Sequence, residues 1–247
     1  MGKIDEYRCV LRTLDNWDDY LLRNSNLPGP RGNLELAHAA ADEGTEAQFL
    51  RWAAIDAGQA PANTPGEFLA FCGVVGLGRL VAEGRRDLLP LIRARASDVR
   101  WRTREAVAMA LQRWGDADMD ALLDEMERWA AGNPLEQRAA AAALCEPRLL
   151  RNERHARRVL AILHAITASL SAAQDRKSDD FKTLRQGLGY CWSVAVAALP
   201  PEGKPLMEKW CASADADVRW IMRENLKKNR LARMDAAWVG NWLSRPG

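Results

Sequence analysis

The sequence is poor in the residues that make up most metal and nucleophilic sites. It contains 3 histidines and 5 cysteines in 247 residues. The histidines, His38, His155 and His164, belong to no HExxH pattern, and the cysteines form no CxxC pair. The sequence therefore identifies no catalytic residue, and it predicts neither a bound metal nor a small-molecule cofactor.

An excess of one charge and a long apolar run are also missing. The 35 Lys and Arg residues against 33 Asp and Glu residues give a net charge of +2, which by itself requires neither nucleic acid nor an anionic membrane. The longest uncharged runs, 68–78 and 186–201, are shorter than the roughly 20 apolar residues of a membrane span. The cysteines lie in apolar segments, as reduced thiols do, and the N-terminal residues are acidic where a signal peptide would be apolar. We therefore expect a cytoplasmic protein with no membrane partner.

Strand signals are nearly absent. Apolar residues rarely alternate with polar ones and instead recur at spacings of three and four, as in 106–114 and 122–130. Glycine and proline interrupt this pattern about once per helix or helical hairpin. The sequence predicts an all-α protein of short helices, among them single helices over 4–24, 65–83 and 216–230.

An internal match joins two distant segments. The pattern DVRWxxRE, which begins at residue 98, recurs at residue 217. A fainter match relates 104–111 to 137–144, at the separation of one helical hairpin. Matching units at this spacing are typical of a solenoid, in which single hairpins bury their apolar faces only when they stack.

The DVR turn followed by an arginine resembles the signature of HEAT repeats. This resemblance implies a right-handed α-α superhelix, a HEAT-like solenoid of about six stacked helical hairpins. We expect one domain over 1–247, with well-matched repeats over 85–247. The N-terminal segment, 1–84, is irregular, because LPGPRGNLEL at 27–36 and the segment 61–78 depart from the repeat.

The same resemblance implies a ladder of aspartates and arginines through the stack. In HEAT repeats an aspartate between the two helices of one repeat is bonded by an arginine of an adjacent repeat. The candidate ladder residues are Asp98, Arg104, Asp217 and Arg223. Physical chemistry also favours Asp98 and Asp217 as N-caps, because a carboxylate at a helix N-terminus accepts from free backbone amides.

Basic and aromatic residues of the two matching segments are candidates for binding a partner or phosphates. They are Arg100, Trp101, Arg102, Arg219, Trp220, Lys227 and Arg230. Guanidinium groups along one face could follow phosphates, and the aromatic rings beside them could stack on bases. The alternative is that the charged residues are solvated or belong to the ladder, while the two tryptophans pack between repeats.

Two other segments lack the pattern of a ligand site. Gly73-Val74-Val75-Gly76-Leu77-Gly78 is superficially similar to a nucleotide-binding loop, but no strand precedes it and no GK[ST] follows. Close helix packing explains it better. The acidic stretch 116–127 lacks the spacing of a calcium loop and is typical of a helix N-terminus.

These observations favour a non-enzymatic HEAT-repeat scaffold that binds a protein partner on its concave face. The alternative is a DNA-binding repair protein, because the Trp-x-x-Arg segments at 101–104 and 220–223 are similar to the HEAT-like alkylpurine DNA glycosylases. That resemblance implies a cationic concave face that grips duplex DNA. A repeat-type lyase or a chromophore-handling accessory protein is a third hypothesis.

Overall fold

The computed structural model describes residues 2–245, which form α-helices, two short 3-10 turns and no strand. The prediction of an all-α protein is confirmed. The helices are α1 (Lys3–Leu11), α2 (Asp18–Arg23), α3 (Leu34–Glu43), α4 (Glu46–Ala53), α5 (Pro65–Ala82), α6 (Leu89–Ala96), α7 (Trp101–Ala117), α8 (Met119–Trp129), α9 (Pro134–Leu144), α10 (Glu153–Ser171), α11 (Asp179–Ala198), α12 (Pro200–Cys211), α13 (Ala216–Leu226), α14 (Asn229–Met234) and α15 (Ala236–Leu243). The 3-10 turns are Arg86–Leu88 and Pro147–Leu150.

Two predicted helices are each broken into two. The segment 4–24 divides into α1 and α2, and the segment 216–230 divides into α13 and α14. In the first break the side chain of Asn16 accepts a hydrogen bond from the backbone amide of Asp18 at 3.1 Å. Such local bonds compete with the helical pattern, and periodicity alone does not reveal them.

The chain divides into two compact units, Met1–Ala117 and Asp118–Gly247. In the first unit α5 is the central helix, and α2, α3, α4, α6 and α7 all pack against it. A helix that is apolar on every side is stable only when neighbours surround it. The organisation of 1–247 as a single domain stays a prediction.

Glycines let α5 approach its neighbours closely. A Cβ atom at Gly73 would collide with the backbone of Ala53 in α4, and one at Gly78 would collide with the backbone of Ala110 in α7. The prediction that the segment 73–78 serves helix packing is therefore confirmed.

By length and composition α5 could also cross a membrane, the one helix of the described residues that could do so. However, 78% of its 18 residues are buried inside the protein. This burial is typical of the core helix of a soluble protein.

In the second unit α11 is the central helix, and α9, α10, α12, α13 and α14 pack against it. Its buried polar groups have partners within the core. Trp192 donates from its indole nitrogen to the hydroxyl of Thr167 at 3.0 Å. Asn225 of α13 donates to the carbonyl of Leu188 at 2.8 Å and accepts from the amide of Ser193 at 2.7 Å. The bonds of Asn225 join α13 to α11, and the bond of Trp192 joins α11 to α10.

Candidate functional site

The turn before α7 places one of the predicted binding residues inside the protein. Arg100 is 1% exposed, and its guanidinium donates to the carboxylate of Asp98 at 2.9 and 2.7 Å. It also donates to the backbone carbonyls of Ile55, Asp56 and Ala60, in the loop after α4. Buried carbonyls need donors, and Arg100 supplies them. Arg100 thus fastens an internal loop, where the sequence predicted a contact with a partner or phosphate.

Asp98 organises the same turn. Its Oδ1 atom accepts from the backbone amide of Arg100 at 2.8 Å, and α7 begins one residue later. Arg95, at the end of α6, lies 3.7 Å from the carboxylate. Burial acts to raise the pKa of Asp98, but the bonds from Arg100 outweigh it and hold this pKa below its usual value. Asp98 therefore acts as an anion in a turn ahead of the helix.

Arg102 is a second predicted binding residue that the structure buries. It is 5% exposed, and its Nη1 atom lies 3.4 Å from Oε2 of Glu67, which is fully buried. Its Nη2 atom donates to the carbonyl of Gly29, while Oε2 of Glu67 also accepts from the amide of Asn63 at 2.7 Å. Oε1 of Glu67 and Nε of Arg102 have no hydrogen-bond partner within residues 2–245. This buried ion pair joins the starts of α5 and α7 to the loop around Gly29.

That loop, which connects α2 to α3, is held by side-chain amides. Asn33 caps α3 by accepting from the amide of Leu36 at 3.1 Å, and it donates to the carbonyl of Asn24 at 2.8 Å. The amide of Gly29 donates to the side chain of Asn63 at 3.0 Å. The segment that departs from the repeat pattern in the sequence is thus an ordered wall beside α5 and α7.

The loop, α5 and α7 enclose a cavity of about 190 Å³, which we name the Trp101 pocket. Trp101 is 48% exposed, and the guanidinium carbon of Arg102 lies 4.4 Å from the centre of its ring. Most of the lining residues are apolar. They are Leu27, Pro30, Arg31, Gly32, Leu34, Phe68, Phe71, Trp101, Arg102, Glu105 and Met109.

The lining of the Trp101 pocket is suited to binding. Its charged lining residues are Arg31, Arg102 and Glu105, and the rest of the lining is apolar. Aromatic and aliphatic side chains around a small cavity fit one apolar group of a ligand. Across residues 2–245, His, Cys, Asp and Glu side chains form no group of three that could hold a metal ion.

In the second matching segment the cap lies two residues earlier than predicted. Asp215, not Asp217, caps α13, and it accepts from the amides of Asp217 at 2.9 Å and Val218 at 3.3 Å. Its bonds with Arg176 lower the pKa of Asp215 to about 2. Asp217 instead pairs with Arg176 at 3.0 Å and with Arg185 at 2.8 Å. The reason is that α13 begins at residue 216, so Asp217 is already inside its first turn.

The candidate ladder arginines bond to backbone carbonyls. Arg104 donates to the carbonyls of Asp98 at 2.7 Å and Val99 at 3.2 Å, which are five and six residues before it. Arg223 donates to the carbonyl of Arg245 at 3.2 Å. The ladder between neighbouring repeats stays a prediction.

Arg219, and not Arg223, makes the contact that corresponds to that of Arg104. It donates to the carbonyls of Ser213 at 2.9 Å and Ala214 at 2.8 Å, again five and six residues before it. The sequence match pairs positions 119 apart, whereas α7 and α13 begin at positions 115 apart. The alignment of the two helices by sequence therefore differs from their alignment by structure by about one turn of helix.

The remaining predicted residues are Trp220 on α13, Lys227 between α13 and α14, and Arg230 on α14. The guanidinium carbon of Arg185 lies 3.8 Å from the centre of the Trp220 ring. Lys227 forms an ion pair with Glu224, and Arg230 bonds to the hydroxyl of Tyr190. The structure therefore brings Trp101 and Arg102 to one pocket, and it gives Trp220, Lys227 and Arg230 partners elsewhere.

Several residues of the site were missed from the sequence. Glu67 is a lone carboxylate at the start of the apolar segment 68–78, and such a residue signals a buried partner. Phe68 and Phe71 have the spacing of ordinary core residues, so only the structure assigns them to a cavity wall.

The fold and this cavity define a class: an all-α protein of packed helical pairs with a largely apolar cavity. Comparisons with protein-family models, with curated proteins and with solved structures found no match.

Proposed function

We propose that this chain is a non-enzymatic HEAT-like helical-repeat protein that binds a protein partner, and that the Trp101 pocket receives an apolar side chain of that partner. The proposal includes the finer architecture, a right-handed superhelix of about six hairpins with a concave binding face. The exposed Trp101 beside an apolar cavity is the observation that carries it.

Helix packing supports the repeat architecture. In the first unit α1 packs on α3, α3 on α5 and α5 on α7, and in the second α9 packs on α11 and α11 on α13. Consecutive helices also pack as pairs, among them α4 with α5, α6 with α7, α10 with α11 and α12 with α13. Contacts between alternate helices and between hairpin partners are those of stacked repeats.

Exposed apolar side chains support the binding role. Among the described residues, Val99 and Trp101 are 80% and 48% exposed and lie two residues apart at the start of α7, and Leu91 of α6 is 47% exposed. Clustered apolar exposure beside a cavity is typical of a surface that a partner covers. A half-exposed tryptophan can supply much of the binding energy of such an interface.

Selection of peptides on the immobilised protein tests this proposal. We expect the selected peptides to share a large apolar residue, and Trp101→Ala to weaken their binding by roughly tenfold or more. Tyr190→Ala is the matched control, because Tyr190 is a 44% exposed aromatic in the second unit. Equal binding by wild type and Trp101→Ala, measured by fluorescence polarisation, would contradict the proposal.

Binding is also measured with duplex DNA in place of the peptides. The DNA-binding alternative is weaker because Arg100 and Arg102 are buried and bonded to the protein's own atoms. Binding to DNA that falls steeply with salt, and falls further in Arg219→Ala and Lys227→Ala, would replace the scaffold proposal with the repair-protein alternative.

A further inference from the structure

A second cavity lies wholly within the second unit, and we name it the Arg219 pocket. It has a volume of about 410 Å³ and lies between the end of α12, one face of α13, the end of α15 and Arg245, which follows α15. Three arginines and an apolar floor characterise its lining. The residues that matter are Arg219, Arg223, Arg245, Met222, Leu226 and Trp242.

The three arginines have no carboxylate partner among the described residues. Arg219 and Arg223 each donate from Nη1 to backbone carbonyls, and Arg245 lies with its guanidinium carbon 3.8 Å from the centre of the Trp242 ring. Each guanidinium has five N–H donors, so donors remain free on all three. Lys227, the residue just after α13, differs because it is paired with Glu224 at 2.5 Å.

This arrangement costs electrostatic energy when the pocket is empty. Arg219 and Arg223 are four residues apart on α13 and therefore lie on one face, where like charges repel. Arg245 adds a third positive charge to the same lining. An anion in the pocket would relieve this repulsion, and the guanidinium groups suit the oxygen geometry of a phosphate.

The apolar part of the lining indicates what the ligand carries besides an anionic group. Met222 and Leu226, again four residues apart, lie buried beneath the pocket, and Trp242 supplies a half-buried aromatic ring. An aromatic ring with a guanidinium beside it forms a surface on which a flat aromatic group stacks. The volume falls within the usual range of small-molecule sites, about 300 to 1,000 Å³.

We propose that the Arg219 pocket binds the phosphate monoester of an aromatic or heteroaromatic compound, of which a nucleoside monophosphate is the simplest representative. Such a phosphate carries about two negative charges and three acceptor oxygens, which matches three arginines. The aromatic part packs on Trp242. This site is separate from the Trp101 pocket and goes beyond the function proposed above.

Titration calorimetry with AMP, adenosine and inorganic phosphate tests the proposal on the full chain. We expect saturable binding of AMP, with adenosine and inorganic phosphate each weaker by roughly tenfold or more, because each lacks one half of the ligand. Absence of AMP binding at millimolar concentration would overturn the proposal. Inorganic phosphate that binds as tightly as AMP would overturn the aromatic half of it.

Variants separate the pocket from general electrostatic attraction. Arg223→Gln and Arg245→Gln should each weaken AMP binding by roughly tenfold or more, since each removes bonds to a charged group. Lys227→Gln makes the same charge change outside the pocket and should leave affinity unchanged. An equal loss in Lys227→Gln would show non-specific attraction and overturn the site.

Two further variants complete the test. Trp242→Leu should weaken AMP but not inorganic phosphate, and a loss of both would contradict the stacking role. Trp101→Ala should leave AMP binding unchanged, so that failure of one pocket is distinguishable from failure of the other. Thermal unfolding followed by circular dichroism confirms that each variant is folded.

Discussion

The turn before α7 and the start of α13 contain the same six residues in the same order, yet the two regions use them differently. Val99 is 80% exposed, whereas Val218 is fully buried. Arg100 is inside the protein and bonds an adjacent loop, whereas Arg219 donates to the last residues before its own helix. The same side chains therefore have different environments.

A shift of helix register explains the difference. In α7 the buried positions include Thr103, Ala106, Val107, Ala110 and Leu111. The same spacing recurs in α13 when each position is moved by 115 residues, as in the buried Val218, Ile221, Met222, Asn225 and Leu226. A helix buries the face that its neighbours cover, so packing, and not residue identity, sets the equivalent positions.

Arg100 and Arg219 provide the largest expected contrast. Arg100→Met should destabilise the protein by about 3 to 5 kcal/mol, because it leaves Asp98 as a buried charge without its main partner. Arg219→Met should lower the free energy of unfolding by about 1 kcal/mol, since it removes only bonds to two carbonyls near the surface. Urea unfolding measures both. Similar costs for the two variants would mean that the segments are equivalent after all.

Val218 and Val99 provide the next contrast. Val218→Ala should lower the free energy of unfolding by about 2 kcal/mol, because it removes buried apolar surface and leaves a cavity. Val99→Ala should change the free energy of unfolding by less than about 0.5 kcal/mol, because the side chain is already in water. The two denaturation midpoints give the result, and a larger effect at Val99 would contradict the register described here.

The smallest contrast concerns the cap of α13. Asp215→Ala should cost about 1 to 2 kcal/mol, as the loss of an N-cap does, and more than Asp217→Ala. The native pKa of Asp215 is about 2 and lies below its unfolded value. Its contribution should therefore be fully present above about pH 4 and fall as the pH drops towards 2. Unfolding curves for wild type and Asp215→Ala that stay equally far apart down to pH 2 would argue against this assignment.

Some of the architecture was predictable because it depends on local pattern. The helix expected over 65–83 is observed as Pro65–Ala82, and the packing role of the 73–78 glycines follows from small residues on an apolar helix. The break between α1 and α2 was not predictable, since it depends on side-chain bonds that many sequences could form or omit. The Trp101 pocket itself was not predicted. Of its lining residues only Trp101 and Arg102 were among the binding candidates, because other walls come from a loop that fits no repeat.

By itself the sequence determined that the chain is helical, where the central helix α5 begins and ends to within one residue, and which glycines permit close packing. These properties follow from residue spacing and backbone preference within a few turns of chain. The tertiary structure alone decided which arginines are internal and which face a cavity. A guanidinium is equally suited to a buried carbonyl, a carboxylate or a bound phosphate, and only the surroundings that distant segments build around it determine which of these it contacts.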